Sequence, residues 1–239
     1  MFENLEGRKL VGILHKPGVE TDKIIIFAHG SSSNKDRLSL IKIAEELSEE
    51  YSFLRFDFGG SGESYDCDIE IGSQVSDLKG AIRFAKARGY SDICLMGASL
   101  GGLISVLCYS SEIKVMILLA PLTTSKVPTD LKTDEKLKIL GEKGFIERVK
   151  DGKVFRFSKK YFDYRGKINQ KELLSGVGVP VLIIHGDADD TVSLDDSKEA
   201  MKYLPNGSEL EIIKGGGHKL GPSDGVIKFS KSWLERHFD

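Results

Sequence analysis

The sequence predicts an α/β protein with a mostly parallel central sheet, helices on both faces and a small inserted cap. Three observations carry that expectation. Short apolar runs recur along the chain, KIIIFAHG at residues 23–30, FLRFDFGG at 53–60, ICLMGAS at 93–99, VMILLAP at 115–121 and VPVLIIHG at 179–186, each stopping at Gly, Ser or Pro. Strands buried on both faces have this composition. Between them lie polar stretches with helical spacing, and one long segment breaks the alternation.

In chain order, KLVGILHKPG at residues 9–18 has partial alternation and a closing Pro-Gly, which suits one arm of an antiparallel hairpin. The stretch from Asp36 to Ser48 puts Leu40, Ile43, Ala44 and Leu47 on one side, and that from Val75 to Ala87 does the same with Leu78, Ile82, Phe84 and Ala85. Right-handed crossovers between parallel strands follow, and such sheets place their sites at the carboxyl ends of the strands. From residue 122 to 175 the chain turns polar and rich in lysine, so the core is expected in 1–121 and 176–239, with 122–175 as the inserted cap. Inside the insert, FIERVKDGKVFRF has apolar positions on either side of Asp151-Gly152, a favourable two-residue hairpin turn.

The totals exclude several classes. A chain of 239 residues with 40% hydrophobic composition can bury a full core, and 34 basic against 36 acidic residues give a net charge of -2 with no long block of one sign. Nucleic acid is therefore not an expected partner. Cys67, Cys94 and Cys108 are irregularly spaced, and two lie in apolar segments, which fits reduced thiols and neither a disulfide framework nor a zinc site. No basic, apolar leader opens the chain and no apolar run reaches the roughly 18 residues of a membrane helix, so a cytoplasmic protein without membrane contact is expected.

The motif that points to chemistry is Gly97-Ala98-Ser99-Leu100-Gly101. A Gly-x-Ser-x-Gly match is weak by itself, but this one follows an apolar strand and precedes the apolar helix LGGLISVLCYS, the setting of a nucleophile elbow. A sharp strand-to-helix turn crowds the positions flanking the serine, and glycine relieves the crowding. A serine hydroxyl near neutral pH needs a base, and the base needs a carboxylate to orient it. Of five histidines, His29 and His185 precede a glycine at a strand end, where loop shaping is the expected task; His15 lies in the expected hairpin and His237 near the terminus. His218 remains, in IIKGGGHKL after the last strand, on a glycine-rich loop able to carry an imidazole over the sheet edge. For the acid, the loop after IIHG offers Asp187, Asp189 and Asp190, whereas Asp130 and Asp134 in the insert lie far from any strand end.

With these stretches the chain resembles the α/β-hydrolase superfamily, and within it the small capped esterases that include cinnamoyl and feruloyl esterases and the related serine aminopeptidase-like hydrolases. The resemblance runs through FAHGSSSNKD, RFDFGGSGES, GASLG, HGDADDTV and GGGHKL and covers nearly the whole length. It implies the α/β-hydrolase fold, the chain order Ser, Asp, His, and an acid at the Asp of His-Gly-x-x-Asp-x-x-Val, which falls on Asp189 with Val192 in register. It also implies an oxyanion hole made by the backbone N–H groups of Leu100 and Ser31, and gives Asp57 and the following Gly-Gly-Ser-Gly turn a structural task. Ser31 stands where relatives often carry a bulky residue such as Phe, so the wall of the acyl pocket is expected to be wider or more polar than the resemblance implies.

The implied activity is hydrolysis of carboxylic esters of small substrates through an acyl-enzyme, by Ser99, His218 and Asp189, with neither metal nor organic cofactor. Aryl or hydroxycinnamoyl esters enter as an option because of Phe145, Phe155, Phe157, Tyr161, Phe162 and Tyr164 in the insert; such rings can equally form the insert's own core. Two other activities use the same residues, a thioesterase and a small-peptide hydrolase of the aminopeptidase type, the latter needing acids such as Asp130, Asp134, Glu135, Glu142 or Glu147 to hold a free ammonium. The alternative of another class is a non-catalytic protein of the same fold that binds a small ligand. The expected partner is a small-molecule ester, and the expected assembly a monomer or homodimer.

Overall fold

Seven apolar or half-apolar runs form one sheet in the computed structural model, which describes residues 1–127, 131–220 and 223–238. The strands are β3 (Gly12–His15), β4 (Lys23–Ala28), β5 (Ser52–Phe56), β6 (Asp92–Ala98), β7 (Ile113–Leu119), β10 (Val181–Gly186) and β11 (Glu209–Ile213), in the order β11-β10-β7-β6-β4-β5-β3. All neighbours are parallel except β3, which runs antiparallel to β5 with Gly12 opposite Phe56. Alternation along a strand sends side chains to both faces. In β4, Ile24 and Ile26 enter one apolar core while Ile25 and Phe27 enter the other. That is why the run reads as continuously apolar.

Helices cover both faces. On one side α1 (Leu38–Leu47) buries Leu40, Ile43, Ala44 and Leu47, the four residues its spacing singles out, and packs with α8 (Ser223–His237). On the other lie α2 (Ile71–Lys86) and α3 (Leu100–Leu107), while α7 (Leu194–Ala200) follows β10. Helix α2 starts four residues before the expected Val75, because Ile71 and the polar Gln74 are both buried there. Phe84 on the same helix is only half-buried, against Phe2 at a ring distance of 4.7 Å.

The expected N-terminal hairpin arm divides in two. Residues Lys9–Leu10 form β2, which pairs with β1 (Phe2–Glu3), whereas β3 leaves to join the edge of the main sheet. Val11 is the junction: its carbonyl accepts the Asp57 N–H at 2.9 Å, and its N–H donates to Ser64 Oγ at 2.9 Å.

Between β7 and β10 the chain forms α4 (Asp134–Lys143), the antiparallel pair β8 (Phe145–Lys150) and β9 (Lys153–Ser158), then α5 (Lys159–Arg165) and α6 (Gln170–Ser175). The β8–β9 turn is Asp151-Gly152, with φ of 50° and 73°, the left-handed pair a two-residue hairpin turn demands. At its other end the hairpin is tied to the approach of α2, where Ile69 N–H donates to Arg156 O at 2.6 Å and Ser158 N–H to Ile69 O at 3.3 Å. Three aromatic side chains of this segment face inward: Phe155, Phe157 and Tyr161 are buried, the last two with ring centroids 5.1 Å apart, whereas Phe145 and Phe162 are half-buried and Tyr164 is exposed. Asp130 lies outside the described residues.

Cys94 and Cys108 are buried free thiols and Cys67 is half-buried and free; burial pushes Cys108 up to about 12. Among the described residues no helix is long and apolar enough to cross a membrane.

Candidate active site

Four loops meet where β4, β6, β10 and β11 end. The central one is the turn from β6 into α3, where Ser99 takes φ 52° and ψ -114°, a conformation L residues rarely hold. Surrounding contacts enforce it. Ser99 N–H donates to Leu119 O at 2.8 Å, and its carbonyl accepts the N–H groups of Gly102 and Leu122 at 3.0 and 3.1 Å. The flanking glycines answer to space as much as to conformation: a Cβ on Gly101 would lie 2.0 Å from Ala28 O, and one on Gly97 would lie 2.5 Å from Gly101 O. Helix α3 thereby packs directly on the backbone of β4. Gly101→Ala is expected to destabilise the fold by about 3 kcal/mol or more, because the obstructing atoms are backbone. Equilibrium unfolding in urea measures it, and an unchanged midpoint would contradict the close-packed elbow.

His218, on the loop after β11, reaches Ser99: Nε2 lies 3.0 Å from Ser99 Oγ and Nδ1 lies 2.8 Å from Asp189 Oδ2. The Asp189 carboxylate is shielded from solvent, while the His218 side chain keeps 23% of its exposure, enough to open toward a ligand. Burial acts to raise the Asp189 pKa. Hydrogen bonds from His185 and His218 and from the N–H groups of Val192 and Thr191 outweigh it, and hold the carboxyl well below the usual carboxylate range. The backbone donors reach Oδ1 at 2.9 Å each. An ionised Asp189 makes His218 Nδ1 the donor, which leaves Nε2 with a lone pair for the Ser99 hydroxyl.

The other two acids of this loop take local tasks. Asp187 accepts the Gly215 N–H at 2.6 Å and so ties the β10 loop to the β11 loop, while exposed Asp190 accepts the Thr191 hydroxyl at 3.1 Å. His185 does more than its expected loop shaping. It is fully buried, with Nδ1 2.7 Å from Ser197 Oγ and Nε2 3.0 Å from Val192 O and 3.2 Å from Asp189 Oδ2. Both neighbours of Nε2 are acceptors, so Nε2 carries the proton and His185 is a second donor to Asp189. The His-x-x-x-Asp spacing was the only sequence signal for that contact.

Ser31 and Leu100 flank Ser99 from two elements. Gly30 abuts the Ser99 loop, since a Cβ there would lie 3.3 Å from the Ser99 Cβ, and Ser31 follows it in the pocket wall. Leu100 is the first residue of α3, where a helix leaves its N–H without an intrahelical partner. Neither N–H enters a backbone hydrogen bond between loops among the described residues. Behind them His29 is buried and neutral: Nδ1 donates to Gly30 O at 2.9 Å and Nε2 accepts the Phe58 N–H at 3.1 Å, and burial lowers its pKa. Asp57, fully buried, accepts the backbone N–H groups of Lys35 and Glu63 at 2.7 and 3.0 Å, a structural task. His15 and His237 lie elsewhere, the first bonded by Arg55 at 2.9 Å and the second packed at a tilt against Trp233, with ring centroids 4.8 Å apart.

A pocket of about 730 Å³ opens over Ser99 and His218, a size suited to small molecules. Its floor is apolar, with Phe27, Leu40, Leu119, Leu220 and Val226, and the β8 end of the inserted hairpin supplies Arg148, Val149 and Lys150 to its wall. None of the six aromatic residues of the insert lines it, nor do Asp134, Glu135, Glu142 or Glu147. Among the described residues no cluster of three or more His, Cys, Asp or Glu side chains is arranged to hold a metal ion.

A parallel sheet with an antiparallel edge, helices on both faces, and a serine on the β6–α3 turn that meets a histidine and an aspartate from later loops define an α/β-hydrolase. The family described as serine aminopeptidase, S33, matches residues 19–176, and the chain belongs to it. Among solved structures it is similar to Est1E from Butyrivibrio proteoclasticus with ferulic acid bound, at 24% identity and a TM-score of 0.84, covering 100% of this chain and 99% of that one. It is also similar to the α/β hydrolase GrgF from Penicillium sp. sh18, at 20% identity and a TM-score of 0.81 over 99% and 96% of the two chains. The esterase domain of a Rhodothermus marinus protein matches at 22% identity and a TM-score of 0.77 over 100% and 97%. At these identities the likeness is one of fold. No curated protein matches the sequence significantly.

Proposed function

We propose that the protein is a serine hydrolase that cleaves carboxylic esters of small substrates through an acyl-enzyme. The observation that carries this reading is the continuous chain from Ser99 Oγ to His218 Nε2 at 3.0 Å and from His218 Nδ1 to Asp189 Oδ2 at 2.8 Å. In it, Ser99 Oγ attacks the ester carbonyl as His218 Nε2 takes the hydroxyl proton, and Asp189 steadies the imidazolium. The carbonyl oxygen becomes an oxyanion that accepts from the N–H groups of Ser31 and Leu100 at the positive end of α3. His218 returns the proton to the departing alcohol oxygen, and water repeats the sequence on the acyl-Ser99 ester to release the acid. No metal or organic cofactor takes part in these steps. Residues 122–175 act as the cap, with the β8–β9 hairpin closing one side of the pocket.

The family's name raises a peptidase reading. An aminopeptidase must hold a free ammonium against acidic groups, whereas among the described residues the charged side chains lining the pocket over Ser99 are Arg37, Arg148, Lys150 and Lys219 against Asp190, which favours the ester. Ferulic acid is bound by Est1E, yet in this chain the hairpin offers the pocket charged and aliphatic side chains in place of rings, so the aryl option has no support from the insert. Comparing p-nitrophenyl butyrate, a short acyl thioester and an aminoacyl p-nitroanilide tests the reading. The oxygen ester is expected to turn over fastest; faster cleavage of the anilide would replace esterase with peptidase, and hydrolysis of none would favour a ligand-binding protein.

A further inference from the structure

The pocket over Ser99 carries an excess of positive charge that ester cleavage does not use. Arg37 enters from the residue before α1, Arg148 and Lys150 from the end of β8, and Lys219 from the residue after His218. Three separate parts of the chain thus bring cations to one opening. Arg37, Arg148 and Lys150 are half-buried and Lys219 is exposed. Among the described residues the one carboxylate lining the pocket is Asp190, which is exposed, and no ion pair joins Arg37, Lys150 or Lys219 to an acidic side chain. Arg148 lies over the Phe157 ring at 5.3 Å. Burial, then the charges of Arg37, Lys219 and Arg148, hold the Lys150 ammonium below its usual range, with Asp151 opposing them.

Convergent like charges in a partly closed cleft focus their field on whatever enters it. An anion relieves their mutual repulsion, and an ammonium adds to it. Beside the cations the lining is mainly apolar, with Phe27, Leu40, Leu119, Leu220 and Val226, and its neutral polar side chains include the hydroxyls of Ser31, Ser33, Ser39 and Thr191. The complementary ligand therefore combines an apolar body with a negative charge.

We propose that the pocket selects carboxylate-bearing esters, with Arg37 and Lys150 as the anion's direct partners and Arg148 and Lys219 adding field. The proposal rests on the ester-hydrolase reading of Ser99 and assigns the charge of its substrate. An arginine presents a fork that matches a carboxylate, and a lysine a mobile point charge.

The test uses two pairs of esters, each rate normalised to hydroxide-catalysed hydrolysis. One pair sets p-nitrophenyl hemiglutarate against p-nitrophenyl pentanoate, with equal acyl carbon count and the charge on the acyl half. The other sets 4-carboxyphenyl butyrate against 4-(methoxycarbonyl)phenyl butyrate, with the charge on the alcohol half. In at least one pair, kcat/KM for the anion is expected to exceed that of its neutral partner roughly tenfold or more, chiefly through KM. The pair that responds identifies which half carries the charge. Combining Arg37→Gln with Lys150→Gln is expected to draw that ratio toward one, and about 0.5 M salt to shrink it. Neutral preference in both pairs, or a ratio unmoved by the double variant, overturns the proposal. If wild type turned over none of the four esters, the ester-hydrolase reading would be what fails. Calorimetric titration of the Ser99→Ala variant with monoethyl glutarate and ethyl pentanoate then still decides the charge question, tighter binding of the hemiester supporting it and equal or weaker binding overturning it.

Discussion

Ser99→Ala is expected to lower kcat/KM toward a short p-nitrophenyl ester by about a millionfold, while leaving the fold intact. The two halves of that expectation come from different atoms. In the proposed mechanism the hydroxyl is the attacking group, and among the described residues its one side-chain hydrogen bond runs to His218. The strained backbone at φ 52° is held by backbone hydrogen bonds from and to residue 99 and by the close approach of Gly97 and Gly101, none of which involves the hydroxyl. Alanine therefore inherits the same conformation, and the melting temperature is expected to fall little. Steady-state kinetics beside a thermal melt separates the outcomes: lost activity with an unchanged melt supports the assignment, and activity near wild type with the same melt removes Ser99 from the chemistry.

The second large effect belongs to the acid. Asp189→Asn is expected to cost about 10⁴-fold in kcat, through proton placement more than through geometry. The amide oxygen can still accept the Thr191 and Val192 N–H groups at Oδ1, which turns the amide NH₂ toward His218 Nδ1 and His185 Nε2. His218 must then accept at Nδ1 and carry its proton on Nε2, where it can no longer serve as base. A stability signature accompanies the kinetic one. The Asp189 carboxyl in the folded protein titrates below its ordinary value of 3.8, so the unfolded chain takes up the proton first as pH falls. Its stabilising contribution is present above pH 3.8 and is lost as pH falls through the folded value. Wild type is expected to lose more unfolding free energy than the variant on going from neutral to acid pH, measured by urea titrations. Equal pH dependence of the two would mean that the carboxylate is not held as the hydrogen bonds imply.

How far these features can be read from the amino acids differs from element to element. The strands of the parallel core announce themselves because burial on both faces leaves no polar position to confuse the pattern, as in Ile24 to Phe27. Helix α1 is equally plain, its four buried residues sharing one side. Residues 9–15 mislead because a strand does not encode its partner: Gly12 pairs with Phe56, over forty residues away, and Val11 is where the chain changes sheets. In the site, the setting of Ser99 and the glycine loop before His218 point to those two residues, whereas Asp187, Asp189 and Asp190 are chemically alike and only the family pattern separates them. The geometry separates them by partner, Asp187 binding Gly215, Asp190 binding Thr191 and Asp189 facing both histidines. The support from His185 is invisible to any argument that treats it as a strand-end turn. Composition also counts the rings of the insert without saying which way they face; Phe155 and Phe157 turn into the core, and the hairpin end that meets the pocket is Arg148 to Lys150.

The most direct measurement is covalent. Incubating the protein with a fluorophosphonate and mapping the adduct by peptide mass spectrometry reads out the activated hydroxyl itself, independently of which ester is the natural one. The account predicts a single adduct on Ser99, formed in step with loss of esterase activity and absent in the His218→Ala variant. Full inactivation with the adduct on another residue, or full activity with Ser99 quantitatively labelled, would contradict it.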